Sequence, residues 1–296
     1  MDKKSSKKLN RREFLEKAGK LGGAVFISSI AGKAFAGEWE QGMEEFWTGG
    51  TFRQDTVDAS MEANGLVRAY IDDRWEDFQT IRLPQSFMDW NLSKRLETLE
   101  NISLLFSGEG GSPPSLAGPH NAAFATWGGK RADSRLEINN AFKGIGLCPK
   151  RDRIKDLITK MEEMNSYDMG SKLQYLTELY SDADNFDLSK IISLELYSTP
   201  EFETHTFINL MEHPTTSLVF LDDKSYEVRG IGQLVAPDDT QAGEYPVDIV
   251  KYTNKAHSFF HGDFPRMFPG ILVHVTSVFD NTPGTGRGVR IAPPLI

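Results

Sequence analysis

From residue 189 onward the chain reads as a series of short runs: "KIISLELYS", "TTSLVFLD", "YEVRGIGQLV", "YPVDIVKY" and "GILVHVTSVFD". Each is rich in β-branched and aromatic residues and is bounded by Pro, Gly or Asp, the composition of pleated, half-buried strands. Between the first and second runs lies "FETHTFINLMEHP", where Phe207, Leu210 and Met211 recur at helical spacing. The order is therefore strand, short helix, then four strands. Lacking regular βαβ alternation, it suits an antiparallel sheet or small barrel with helices packed outside.

The preceding half has a different texture. In "NLSKRLETLENISLLF" the residues Leu92, Leu96, Leu99, Ile102 and Phe106 follow a helical period, with Asn91 as cap. The glycines and prolines of residues 107–130 forbid a continuous helix and predict a loop or two short strands joined by turns. "KRDRIKDLITKMEEM" and "DMGSKLQYLTELY" read as an antiparallel helix pair joined by "NSYD". The expected fold class is α+β: an antiparallel split β-barrel at 189–296, preceded by a mainly helical extension at 37–188 and a leader at 1–36.

The leader carries Lys3, Lys4, Lys7, Lys8, Arg11 and Arg12, then a weakly apolar stretch from Leu21 to Ile30, then "AFA" ending at Ala36. That order is the order of a secretory signal. Its apolar part has about ten residues against the roughly 20 a membrane-spanning helix needs, so an address is expected and not a stable anchor. "NRREFLEKAG" resembles the twin-arginine export consensus. The resemblance implies a periplasmic or extracytoplasmic protein that meets the twin-arginine translocase already folded. Without residues 1–36, 24 basic side chains face 39 acidic ones, a formal charge of −15. A field of that sign disfavours nucleic acid and anionic lipid as partners. The chain has a single cysteine, Cys148. It can build no internal disulfide and no cysteine-ligated iron–sulfur cluster, and there is no C-x-x-C-H for covalent c-type haem. Cys148 itself reads as a buried packing residue.

"THTFINLMEHPTTSLVFLDDKSYEVRGIGQLV" is similar to the middle of the pyridoxamine 5′-phosphate oxidase-like, FMN-binding split-barrel family. Asn209 to Pro214 match its helix end, Thr216 to Asp222 its second strand and Tyr226 to Val235 its third; "ILVHVTSVFD" resembles its last core strand. The resemblance covers residues 190–292. It implies a homodimer with FMN bound where the subunits meet. In the family Arg and Lys commonly hold the flavin phosphate; here the matching stretch is Thr204, His205 and Thr206, with Arg229 as the remaining cationic candidate. Hydroxyls and an imidazole at a helix N-terminus are chemically suited to an anion.

In "HSFFHGDF", His257 and His261 stand four apart and share a face on a helix; with Asp263 they form a candidate divalent-metal set. They are also the candidates to stand beside a flavin ring. His205 or His274 would complete a metal set only if the fold brings them close. "DNTPGTGRGVR" offers Gly284, Gly286 and Gly288 with Arg287 and Arg290 as an anion-binding turn or a plain surface turn. No G-x-S-x-G or Walker loop is present. Three readings follow: an exported cofactor-binding protein working as an FMN-dependent oxidoreductase; a non-enzymatic extracytoplasmic binding or accessory protein on a barrel that has lost flavin; and a His-ligated metal enzyme. Replacing Arg11 and Arg12 by Lys is expected to leave the chain in the cytoplasm with residues 1–36 attached, read by fractionation and N-terminal mass.

Overall fold

The computed structural model describes residues 46–112, 114–128, 135–262, 264 and 266–294, with the side chain of residue 261 outside the description. The leader and Asp263 therefore lie outside the described residues. Residues 47–79 of the extension form short strands and not α-helix. A hairpin of β1 (Trp47–Thr48) and β2 (Thr51–Phe52) precedes a three-stranded sheet of β3 (Val57–Asp58), β4 (Leu66–Ile71) and β5 (Arg74–Gln79). Asp72 and Asp73 turn β4 into β5 with φ of 48° and 61°, the positive values a two-residue hairpin requires. Alternation places Val67 and Ala69 on one face, where they pack on Ile231.

Helix α1 (Gln85–Ser107) starts at Pro84 and ends at Gly108, whose φ of 78° stops it. The start lies before Asn91, which is not a cap but a buried residue inside the helix, because Phe87, Met88 and Trp90 extend the apolar face toward the N-terminus. The Gly/Pro-rich loop leads into β6 (Asn121–Trp127), followed by β7 (Ile138–Gly144) and β8 (Gly146–Pro149). Next come α2 (Ile154–Glu163), α3 (Met169–Tyr180) and β9 (Phe186–Leu194). Helix α4 (His205–Glu212), β10 (Thr215–Leu221) and β11 (Ser225–Val235) follow as the sequence pattern predicts. The segment containing "YPVDIVKY" is not a strand but the start of α5 (Glu244–His261). Tyr245, Ile249, Tyr252 and Phe259 are buried at intervals of four, three and seven, which is helical, and Pro246 sits in the first turn, where its missing N–H costs nothing. Strands β12 (Gly270–Asp280) and β13 (Val289–Ala292) end the described chain.

The main sheet is antiparallel throughout, in the order β7-β6-β10-β11-β12-β9-β8, with β13 beside the end of β12. Three of its strands come from before residue 189. β7 and β8 stand at opposite ends of that order, yet only Ile145 separates them in the chain. One bent strand thus pairs first with β6 and then with β9, and the sheet curls back on itself as a split barrel. Lys143 of β7 reinforces the seam with a buried ion pair to Glu195, just past β9, at 2.7 Å.

α1 fills one side of the curl: Phe87 stacks edge-on against Phe220 and Tyr226, both at 5.4 Å between centroids. α2 and α3 do not form a pair of their own; α3 packs on α1 and α2 on α5, so each apolar face finds a longer helix than its neighbour. The seam is fixed by Arg95, a buried guanidinium on α1. It donates to Asn91 Oδ1 at 2.8 Å and to the carbonyls of Pro119 and Ile145, both at 2.8 Å, and lies 3.1 Å from His120 Nδ1. It also stands 5.3 Å from the Tyr180 ring of α3. Removing it orphans two buried carbonyls, one on the approach to β6 and one at the bend between β7 and β8. Arg95→Met is expected to lower the unfolding free energy by about 3–5 kcal/mol, read from urea transitions.

Candidate functional site

Sheet register decides which candidate residues share a space. Directly opposed residues point to one face, so Arg229, Ser217, Ala125 and Asn140 form one outward row. Thr126 and Asn139 are likewise opposed and point to the other face. There they meet α4: Asn209 donates to Thr126 Oγ1 at 3.1 Å, and Asn139 donates to Thr206 Oγ1 at 3.0 Å. The sheet therefore separates the α4 N-terminus from Arg229. Thr204 caps α4, its Oγ1 accepting from Phe207 N at 3.1 Å, and it also meets Ser198 Oγ at 3.3 Å. Thr206 is buried, and His205 beside it is partly exposed. Arg229 projects outward, pairs with Glu227 at 2.6 Å and lies 4.3 Å from the Phe279 ring.

His257 stands half-buried on α5, stacked on Phe264 at 5.0 Å and edge-on to Phe268 at 6.3 Å. His261 belongs to the next turn of the same helix, its side chain outside the described residues. Among the described residues no three His, Cys, Asp or Glu side chains gather in a metal-binding group. The turn at 284–288 spends its N–H groups on the chain itself: Gly286 donates to Thr282 O and Gly288 to Asp280 O. Gly286 leaves no room for a side chain, since a Cβ would fall 2.2 Å from Asp280 Oδ1. Arg287, at a φ of 55°, lies within this turn, and Arg290 of β13 follows it. Cys148 is wholly buried on β8, and burial pushes its thiol pKa well up, consistent with packing.

Two features escaped the sequence reading. The first is a charged cluster around Lys190. This lysine sits on β9 in register with apolar Phe186, Leu188 and Ile192, and so points inward. Its ammonium pairs with Glu62 at 2.8 Å and Asp187 at 2.6 Å. Glu62, in a short turn of 3-10 helix ahead of β4, also takes Arg151. Tyr245 OH donates to Pro149 O at 2.6 Å and lies 3.2 Å from Asp187 Oδ2, and its ring lies under Arg151 at 4.2 Å and Lys190 at 5.0 Å. Burial pushes the Asp187 carboxyl up, but the Lys190 charge and the bonds from Lys190 and Ser189 outweigh it and hold the pKa at about 2. These groups surround a cavity of about 300 Å³. The legible signal was a lysine at an inward position of an apolar alternation.

The second feature is an apolar patch on the outward face of β6, β7 and β10. Ile138 is 74% exposed, Leu221 64%, Phe142 57% and Trp127 40%. Register brings Phe142, Ala123 and Val219 into one row and pairs Ile138 with Trp127. Trp127 is held by its indole N–H on Thr215 at 2.7 Å and by stacking on His213 at 4.8 Å.

No family model and no curated protein sequence matches the chain. Among solved structures, a tagged form of HupZ from Group A Streptococcus is similar at 14% identity over 58% of this chain and 92% of its own, with a TM-score of 0.32. Atu2129 from Agrobacterium tumefaciens str. C58, of unknown function, is similar at 12% identity over 70% of this chain and 61% of its own, with a TM-score of 0.31. At these scores neither likeness bears on function.

His274, beside the Lys190 cluster, makes stability depend on pH. It is fully buried between Gln233, whose Oε1 lies 2.9 Å from Nε2, and Lys190, its partner across the ladder. Burial, helped by the Lys190 charge, lowers its pKa from 6.5 to about 3. The unfolded chain therefore binds a proton that the folded one refuses between those values, and stability is lost as pH falls below 6.5. His274→Gln is expected to flatten the stability profile between about pH 6 and pH 4 by about 1.4 kcal/mol per pH unit, measured from urea midpoints.

Proposed function

We propose that this chain is an exported, non-enzymatic binding or accessory protein on a split barrel, joined as a homodimer through the outward face of β6, β7 and β10. The observation that carries the reading is the set of exposed Ile138, Phe142, Trp127, Val219 and Leu221 on one outward face, with Asn140 and Ser217 between them, on a strongly acidic protein. Solvent-facing strands ordinarily alternate toward polar side chains, and large exposed apolar patches mark interaction surfaces. A two-fold contact buries the same patch on both copies. Arg229 and Phe279 border it, so that a ligand held at the seam meets one cation and one aromatic ring per protomer.

The competing reading is an FMN-dependent oxidoreductase. What favours it is the helix–strand pattern at residues 209–235 and the aromatic character of the same outward face. The residues present do not fit a single flavin phosphate seat, however. Thr204 and Thr206 are committed to Phe207 and Asn139 on one side of the sheet, while Arg229 is paired with Glu227 on the other. The metal reading would rest on His257 and His261 with Asp263, and His257 is packed against phenylalanines.

Phe142→Asp tests the interface. It places a charge in the middle of the patch and leaves the barrel core intact. Wild type is expected to sediment as a dimer and the variant as a monomer at micromolar concentration, a loss of about 3 kcal/mol or more. A wild-type monomer, or a variant that dimerises as wild type does, would refute the proposal.

A further inference from the structure

The cavity beside Lys190 is independent of the barrel's outward face, and its charges do not cancel. Arg82, Arg151 and Lys190 line it against only Glu62 and Asp187. Both carboxylates are paired with cations of the cluster. Glu62 takes Arg151 on one oxygen and Lys190 on the other. Asp187 takes Lys190 on Oδ2, and the Ser189 N–H and hydroxyl on Oδ1. Arg82 is exposed at the rim, and among the described residues no acid pairs with it. Helix α5 begins beside the cavity with Glu244, paired to Lys155, and with Tyr245 in the cavity wall.

Lys190 cannot serve as a nucleophile. Burial works against its charge, but Asp187 and Glu62 carry its pKa above the ordinary lysine value, so it stays protonated. The cluster offers fixed positive charge and hydrogen-bond donors, with no base to move a proton. We propose that this cavity is a binding site for a small oxyanion, a carboxylate or phosphate ester, clamped by Arg82 and Arg151 above the Lys190 ammonium. Planar guanidinium groups suit both anions through paired N–H donors. The volume of about 300 Å³ admits a small metabolite and excludes a polymer. The overall negative charge does not forbid binding, because repulsion from exposed acids is screened beyond about 8 Å at physiological ionic strength.

The test is calorimetric titration of the whole purified chain with inorganic phosphate and, separately, acetate, each against chloride at constant ionic strength. One saturable site is expected for at least one probe, and the stronger of the two assigns the ligand as phosphate ester or carboxylate. Arg82→Gln removes an exposed side chain and is expected to weaken that binding about tenfold or more. Arg53→Gln, an exposed cation paired with Asp55 outside the cavity, is expected to leave it unchanged. Absence of saturable binding of either probe at tens of millimolar, or equal binding by wild type and Arg82→Gln, would overturn the proposal and leave the cluster as a clamp between the N-terminal sheet and the barrel.

Discussion

The barrel depends on a cation buried without an acid. Arg95 takes its compensation from two backbone carbonyls, an asparagine, a histidine nitrogen and the face of Tyr180, and among the described residues no carboxylate pairs with it. Its burial disfavours the charged form, yet a guanidinium holds its proton far above any working pH. The cost of desolvation is therefore offset only while every partner is in place. Those partners lie on α1, on the approach to β6 and at the bend between β7 and β8, so one side chain ties the plug helix to the point where the sheet curls back. The same burial, with the Arg95 charge beside it, pushes His120 well below its usual pKa and keeps that ring neutral.

Lys190 solves the same problem by the opposite means. Its charge is matched by Glu62 and Asp187, and the match joins the N-terminal sheet to β9. Further bonds run in parallel: Gln54 donates to the carbonyls of Leu210 and Gly232 and accepts from Leu234 N, Ile81 N donates to Val275 O, and Leu83 N to Leu188 O. The segment before α1 is thus laid on the barrel by polar contacts, with Val67, Ala69 and Ile231 as a small apolar core between them. Among the described residues this leaves one side of the barrel covered and the outward face of β6, β7 and β10 uncovered.

Much of the barrel was legible because its strands alternate. The segments that became β9 to β12 declare themselves by β-branched residues between turns. Helix α5 did not, since "YPVDIVKY" taken alone is as apolar and β-branched as a strand, and only the continuation to Phe259 reveals its period. The bent strand of β7 and β8 was hidden by the Gly/Pro-rich segment before it and by a closure that depends on β9, roughly forty residues further on. The separation of Thr206 from Arg229 was unreadable for a related reason. Both lie near strand residues of suitable chemistry, but which face each one occupies is set by pairing register, and register is a tertiary fact. Arg95 and Lys190 left a trace that was passed over: each is a charge placed where the apolar period calls for a hydrophobic residue.

A split barrel that works through an exposed apolar face needs no resident redox group, and this separates the binding-protein reading from its rivals. The most direct measurement is the absorbance spectrum, with elemental analysis, of the full chain purified after folding in its native cytoplasm. A colourless protein with no stoichiometric metal is expected. Bands near about 370 and about 450 nm, or a bound transition metal, would contradict the binding-protein reading and restore the flavin or the metal one respectively.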